Sequence, residues 1–332
     1  MLRYLIQRLL LLIPTLVAIS LLTFVIIQLP PGTYLDTLLA ELREAGETAD
    51  LQKLEFLRSQ YGLDQPLWVQ YWRWLRGLLR GDLGYSFEYD LPVSAIIGER
   101  LVLTMVVSFG AILLTWLVAF PIGVYSATHK YSWGDHGLTF LGFLGLATPN
   151  FLLALVLMFV SFRWFGVSIG GLFSPGMESA PWGWAKVLDL LAHLWIPVVV
   201  IGTSGTAGMI RRLRANLLDE LKKPYVVTAR AKGVPPGRLL VKYPLRIALN
   251  PFISDIGNLL PQVISGSVIV SIVMSLPTTG PMLLRALRTQ DMYLAGSFLM
   301  LLAVLTVLGV FLSDLALAVL DPRIRQGAGR SR

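Results

Sequence analysis

LVLTMVVSFGAILLTWLVAFPIGVYSAT, residues 101–128, contains no Asp, Glu, Lys or Arg. At about 1.5 Å per residue, a helix of this length is long enough to cross a hydrocarbon core roughly 30 Å thick. Further charge-free runs lie at 9–35, 137–162, 190–210, 256–284 and 292–313. Six spans are therefore expected, and the fold class is an all-α integral membrane protein. A soluble fold would have to hide six helices that are apolar nearly all round, with only 14% of its residues charged to cover them. The N-terminus has the basic start of a secretory signal, but its apolar run is too long and lacks a small-residue cleavage site, so it reads as a retained first helix.

The net charge of +8 raises the possibility of a nucleic-acid partner, and its placement argues against one. With the N-terminus inside, the cytoplasmic segments hold Arg3, Arg8, Lys130, ten basic residues from Arg211 to Arg246, and four after Asp321. The segment 30–100 holds seven basic against eleven acidic residues. This is the inside-positive bias of a multi-pass membrane protein, and it places both termini in the cytoplasm. Zero cysteines exclude disulfides, thiolate metal sites and cysteine nucleophiles. With three histidines, no cysteine and no HExxH or GxxxxGK[ST] pattern, no catalytic residue, metal ligand or ATP site is expected on this chain. His129, His136 and His193 lie near span ends and read as interfacial. An intramembrane enzyme or an ATP-independent channel are the readings from other classes.

The chain divides into a first transmembrane helix (1–29), an extracytoplasmic helical insertion (30–100), a core of five helices (101–320) with a cytoplasmic loop (211–250), and a cytoplasmic tail (321–332). In the insertion, Leu51, Leu54, Leu57 and Tyr61, then Trp68, Tyr71, Trp72 and Leu75, recur at helical spacing, with Pro66 near the start of the second helix. Trp68, Trp72 and Trp74 beside Arg73, Arg76 and Arg80 suit a helix at the lipid headgroups, or a docking surface for an external protein. A second outer loop, 166–186, shows no chemistry.

Polar residues inside spans mark a candidate translocation pathway. Asp255, Asn258, Gln262 and Ser265 are spaced three and four apart and share one helix face, and Ser267 and Ser271 continue it. Lipid exposure of that face would be costly, so it faces water, a partner or neighbouring helices. In the third run Pro149 removes a backbone donor and Asn150 follows it, so a kink is expected there.

The loop RRLRANLLDELKKPYVVTARAKGVPPGRLLVKYPLRIALNP, 211–251, breaks at Pro224 and continues as a short surface helix over 225–232. It stops at Gly233 before Pro235 and Pro236. Small residues Thr228, Ala229 and Ala231 allow close approach of a partner, with Tyr225 and Val226 as anchors.

TARAKG at 228–233 followed by RLLVKYPLRIALNP at 238–251 resembles the "EAA" loop of binding-protein-dependent ABC permeases, within the dipeptide, oligopeptide and nickel branch. Gly233 matches the anchor glycine. Val227, Thr228 and Ala229 stand where the wider family has Glu-Ala-Ala, and Leu245 and Arg246 stand for its leucine-proline. RLLLLIPTL at 8–16, GLDQPLWVQYWRWL at 62–75, GDLGYS at 81–86, ATPNF at 147–151 and LDPRIR at 320–325 extend the likeness over almost the whole chain.

The resemblance implies a type I ABC importer permease fold in a bacterial or archaeal inner membrane. It also implies a second permease subunit forming a heterodimer, two cytoplasmic ATPases carrying ATP and Mg, and an extracytoplasmic solute-binding protein. Coupling to the ATPases falls on Tyr225, Val226, Val227, Thr228, Ala229, Arg230, Ala231, Lys232 and Gly233. The cargo implied is di- or oligopeptide. One departure leaves oligosaccharides open: SIVMSLPTTG at 271–280 puts Ser271 where the branch often carries an acidic residue.

Overall fold

The computed structural model describes residues 2–29, 38, 59, 62, 64–166, 170–253, 259, 264 and 267–320. It is helical almost throughout, as expected where lipid offers the backbone no hydrogen-bond partner. Packing divides it into two compact units, one of Met1–Val102 with Thr278–Leu308, the other of Leu103–Pro277 with Gly309–Arg332.

The first unit contains α1 (Leu2–Gln28), α2 (Leu67–Leu79), a hairpin of β1 (Tyr85–Ser86) and β2 (Leu91–Pro92), the first turns of α3 (Val93–Thr128), and most of α12 (Met292–Leu320). Pro66 immediately precedes α2, as the spacing predicts. Phe24, Trp74, Val93, Ile97, Leu294 and Phe298 form its core. Asp291 ties the hairpin to α12. One carboxylate oxygen accepts the Leu294 N–H at 3.1 Å, capping the helix, and the other accepts the Ser86 hydroxyl at 2.6 Å. The first helix expected in the insertion, over Leu51 to Tyr61, lies, Ser59 apart, outside the described residues.

The second unit holds the rest of α3, then α4 (Trp133–Ala147), α5 (Asn150–Phe165), α6 (Trp184–Leu221) and a chain of short helices. α3 and α6 run in the same direction, since Gly110 lies against Val198 and Gly123 against Leu213. α4 runs the opposite way along α6: Asp135 meets Arg214, Gly142 meets Ala207 and Gly145 meets Thr203. Gly202 lets α3 and α6 approach closely, because a Cβ there would sit 3.0 Å from the Ala111 carbonyl oxygen. The Thr115 hydroxyl uses that approach to donate to the Gly202 carbonyl at 2.9 Å.

Two expected spans differ from single helices. α4 and α5 meet at 99° across Thr148 and Pro149, a turn far sharper than a kink. Pro149 adopts φ −56°, ψ 130°, and Thr148 before it is extended as well, so both residues leave the helix rather than bend it. The run 256–284 also breaks: α10 (Val268–Val273) ends, 274–278 is non-helical, and α11 (Thr279–Arg288) begins. Ser275 takes φ +54° and Pro277 follows, which no continuous helix accommodates. Among the described residues four helices are long and apolar enough to cross a membrane, or five if the bent pair counts as one, against the six expected. Most of 254–266, where the fifth span was expected, lies outside the described residues.

Candidate functional site

Three short helices follow α6, and each opens on a proline at its first position: α7 (Pro224–Ala231), α8 (Pro236–Lys242) and α9 (Pro244–Ala248). Proline there costs no hydrogen bond and presets φ, so KKPY, VPPG and KYPL each start a new direction. α7 ends where its glycine requires. Gly233 has φ +76°, its N–H donates to Arg230 O at 3.0 Å, and the Val234 N–H donates to Ala229 O at 3.3 Å. That pair of bonds is the Schellman end of a helix, completed by Val234 packing near Ala229. A Cβ at Gly233 would meet nothing within 4 Å, so the conformation, not space within this chain, selects glycine.

α7 has two faces. Val226 is 0% exposed and packs with Ala229 against Leu239 of α8, beside Tyr225 and Tyr243. The Tyr225 hydroxyl donates to Glu220 at the end of α6, and burial, followed by this carboxylate, pushes the phenol above its ordinary pKa. Val227 is 55% exposed, and Thr228, Arg230, Ala231, Lys232 and Gly233 are exposed with it. The expectation that Val226 anchors a partner is therefore corrected: it anchors α7 to its own chain, because residue 226 falls on the helix face turned toward Leu239. The exposed apolar side chain is its neighbour Val227. After α9 the backbone returns along α6, with Leu245, Ala248 and Phe252 packed near Met209, Leu213 and Leu217.

The pathway candidates separate. Pro149 is exposed and Asn150 half-buried at the α4–α5 break. Asp255, Asn258, Gln262 and Ser265 lie outside the described residues. Ser267 and Ser271 are buried, the Ser267 hydroxyl donating to Ile264 O at 2.9 Å. A cleft of about 180 Å³ that the sequence reading missed lies between α3 and α6, lined by Thr115, Trp116, Ser204, Gly205, Arg212 and Leu259. Among the described residues the Trp116 indole N–H is buried there without an acceptor. The signal was the small, polar run GTSGTAG at 202–208, hidden because it carries no charge.

Two outer features are also placed. Trp68 and Trp72 are exposed on α2, but Trp74 is 4% exposed and its indole reaches Ser297 at 3.4 Å, so Trp74 is a core residue and not a headgroup anchor. In the second loop, the described residues 170–186 are tied together by a buried cation. Lys186 is buried with its ammonium donating to Glu178 O and Ala180 O, 5.0 Å from the Phe173 ring and 4.9 Å from that of Trp182. His193 is buried too, its Nδ1 2.8 Å from Asp189 O, so its ring is held within the protein. No group of metal-ligating side chains occurs among the described residues.

Residues 119–326 match the family described as "Binding-protein-dependent transport system inner membrane component". Residues 1–108 match a second, "Binding-prot-dependent transport system membrane comp, N-term". The chain is 35% identical over 323 residues to the oligopeptide transport system permease protein AppB of Bacillus subtilis, covering 97% of this chain and 98% of that protein. It is 30% identical over 341 residues to the dipeptide transport system permease protein DppB of Escherichia coli, covering 98% and 99%.

Proposed function

The chain belongs to the family of binding-protein-dependent transport system inner membrane components and is a multi-pass membrane permease, and from this we propose that it forms half of the translocation pathway of a di- or oligopeptide importer. Peptide cargo is favoured over oligosaccharide because relatives matching end to end are named for oligopeptide and dipeptide transport. Ser271 is buried and offers no carboxylate to a peptide amine, so selectivity rests with an extracytoplasmic binding protein.

The observation that carries the mechanism is the two-faced α7. Its inner face is fixed to α6 and α8 through Val226, Ala229 and the Tyr225–Glu220 bond. Its outer face, Val227, Thr228, Arg230 and Ala231, offers small and cationic groups to a separate ATPase subunit that binds ATP and Mg. Movement imposed on that face passes into α6, since only two residues, Lys222 and Lys223, separate the helices. Coupling of this kind needs an element that both sites bias, and α7 supplies it. Both termini lie in the cytoplasm of a bacterial or archaeal cell, with a second, different permease subunit completing the pathway. Support for this orientation comes from the ten basic residues at 211–246 and from the alternating directions of α3, α4 and α6.

The test is uptake of labelled peptide by proteoliposomes holding this chain, its partner permease, the ATPases and the binding protein. Uptake should require ATP, and Gly233→Trp should abolish it while the complex still purifies intact. Normal uptake by that variant, or uptake without ATPases, overturns the reading.

A further inference from the structure

A second cleft, of about 460 Å³, lies between α4 and α6 and has no part in the coupling described above. Because the two helices are antiparallel, its lining changes character along its length. One end is set by Tyr131, His136, Arg211 and the Arg214–Asp135 pair, and the other by Phe140, Phe143, Gly142, Ala207 and Ile210. Asp135 and Gly142 are seven positions apart, as are Arg214 and Ala207, so the cationic mouth and the apolar floor are about 10 Å apart.

The mouth is organised. Arg214 grips Asp135 with Nε at 3.0 Å and Nη2 at 2.7 Å, and the Tyr131 and Asp135 N–H groups close the turn onto the same carboxylate and onto Ser132. With Asp135 so engaged, the surplus charge is positive: Arg211 is exposed, and the Lys130 ammonium lies 4.3 Å from the Tyr131 ring. The exposed Tyr131 phenol registers this field, held below its ordinary pKa by Lys130 first and by Arg214 and Lys222 more weakly. The floor is aromatic and open, with Phe140 and Phe143 both exposed.

We propose that this cleft binds one anionic phospholipid of the cytoplasmic leaflet, its phosphate at Arg211, Tyr131 and Lys130 and an acyl chain along Phe140, Phe143 and Gly142. Charge complementarity selects an anion, and the gradient from cations to aromatic floor within about two helical turns selects an amphiphile over a free ion. A protein partner would find the same mouth but would have no use for an open apolar channel two turns deep. The assignment to the cytoplasmic leaflet rests on the topology proposed above.

The experiment uses the assembled complex in nanodiscs carrying a trace of phosphatidylglycerol with a photoactivatable acyl chain, in a phosphatidylcholine background. Crosslinks should map to α4 near Phe140 and Phe143. Arg211→Gln should lower crosslinking roughly fivefold, and Arg211→Gln with Lys130→Gln roughly twentyfold. Gly142→Ala should lower it as well while leaving the mouth intact, since a Cβ there has ordinary contacts only, 3.6 Å from Ile210 and 3.7 Å from Ala207. Competition by millimolar inorganic phosphate as effective as that by unlabelled phosphatidylglycerol would mean an ion site and overturn the proposal. Equal labelling by a phosphatidylcholine probe, or crosslinks from a benzophenone at Phe143 to another subunit, would overturn it too. Since the chain has no cysteine, His136→Cys reports the leaflet through an impermeant maleimide applied to intact cells or to sealed inverted vesicles. Labelling from outside with lipid crosslinks retained sinks the topology, and labelling from inside with crosslinks absent sinks the lipid site.

Discussion

α2 and α7 are both surface helices with one face packed and one face open, and they open very different chemistries. α2 exposes Trp68, Trp72 and Leu79 and packs Gln70 and Trp74 inward. α7 exposes Val227, Thr228, Arg230 and Ala231 and packs Val226 and Ala229. Large amphipathic rings beside arginines match the layered interface of a bilayer, where an indole keeps its body in the acyl region and its N–H in the headgroups. Small side chains with a few cations suit the close approach of another protein's groove. The same packing solution therefore leaves open faces of different chemistry, large rings on α2 and small side chains on α7.

Substitutions on opposite faces of the two helices test that distinction. The largest effect is expected from Val226→Asp against Val227→Asp. The first buries a carboxylate beside Leu239, should cost several kcal/mol and should detach α7, abolishing both transport and ATPase binding. The second should leave thermal unfolding within about 0.5 kcal/mol and weaken only ATPase association in pull-down. Equal effects would remove the two-faced description. On α2, Trp74→Ala should destabilise the complex by about 3–5 kcal/mol in thermal melts, whereas Trp72→Ala should stay within about 0.5 kcal/mol. A large loss at Trp72 would show that its open face is covered by protein.

Smaller effects sharpen the α7 side. Gly233→Ala forces a side chain into φ +76° and should cost about 1 kcal/mol, with Gly233→Asn recovering part of it, because asparagine tolerates that conformation. If Ala is as harmful to uptake as Trp, the site is limited by backbone strain and not by contact with a partner. The smallest effect concerns Tyr225. Its folded pKa is raised, so the stability it contributes is complete below the ordinary tyrosine value of about 10 and is lost as pH rises beyond it. Tyr225→Phe should cost about 1 kcal/mol at neutral pH and flatten the alkaline part of the unfolding profile. An unchanged alkaline limb would disconnect the phenol from Glu220.

Much of this was readable from composition and punctuation. Charge-free runs locate α1, α3, α6 and α12 because hydrocarbon tolerates no alternative, and Pro224, Pro236 and Pro244 with Gly233 mark every turn of the loop after α6. The facing of individual side chains was not readable. Trp74 stands two residues from Trp72, among arginines, and only the packing of Phe24 and Ser297 against it turns it inward. Val226 and Val227 are chemically the same residue, and only the arrival of Leu239, thirteen positions later, distinguishes them. The Asp135–Arg214 pair joins residues 79 apart, beyond any local pattern.

Local physics thus dictated which segments are apolar enough to enter lipid, where prolines and a glycine interrupt the loop after α6, and which segments carry surplus positive charge, since each depends on a residue's own transfer energy or backbone freedom. Pro149 fixed the place of the α4–α5 break, whereas folding set its 99° angle, the split of α7 into a held and an offered face, and the cationic mouth above an aromatic floor. Those depend on which distant surfaces meet, and a contact between remote residues leaves no mark on either stretch read separately.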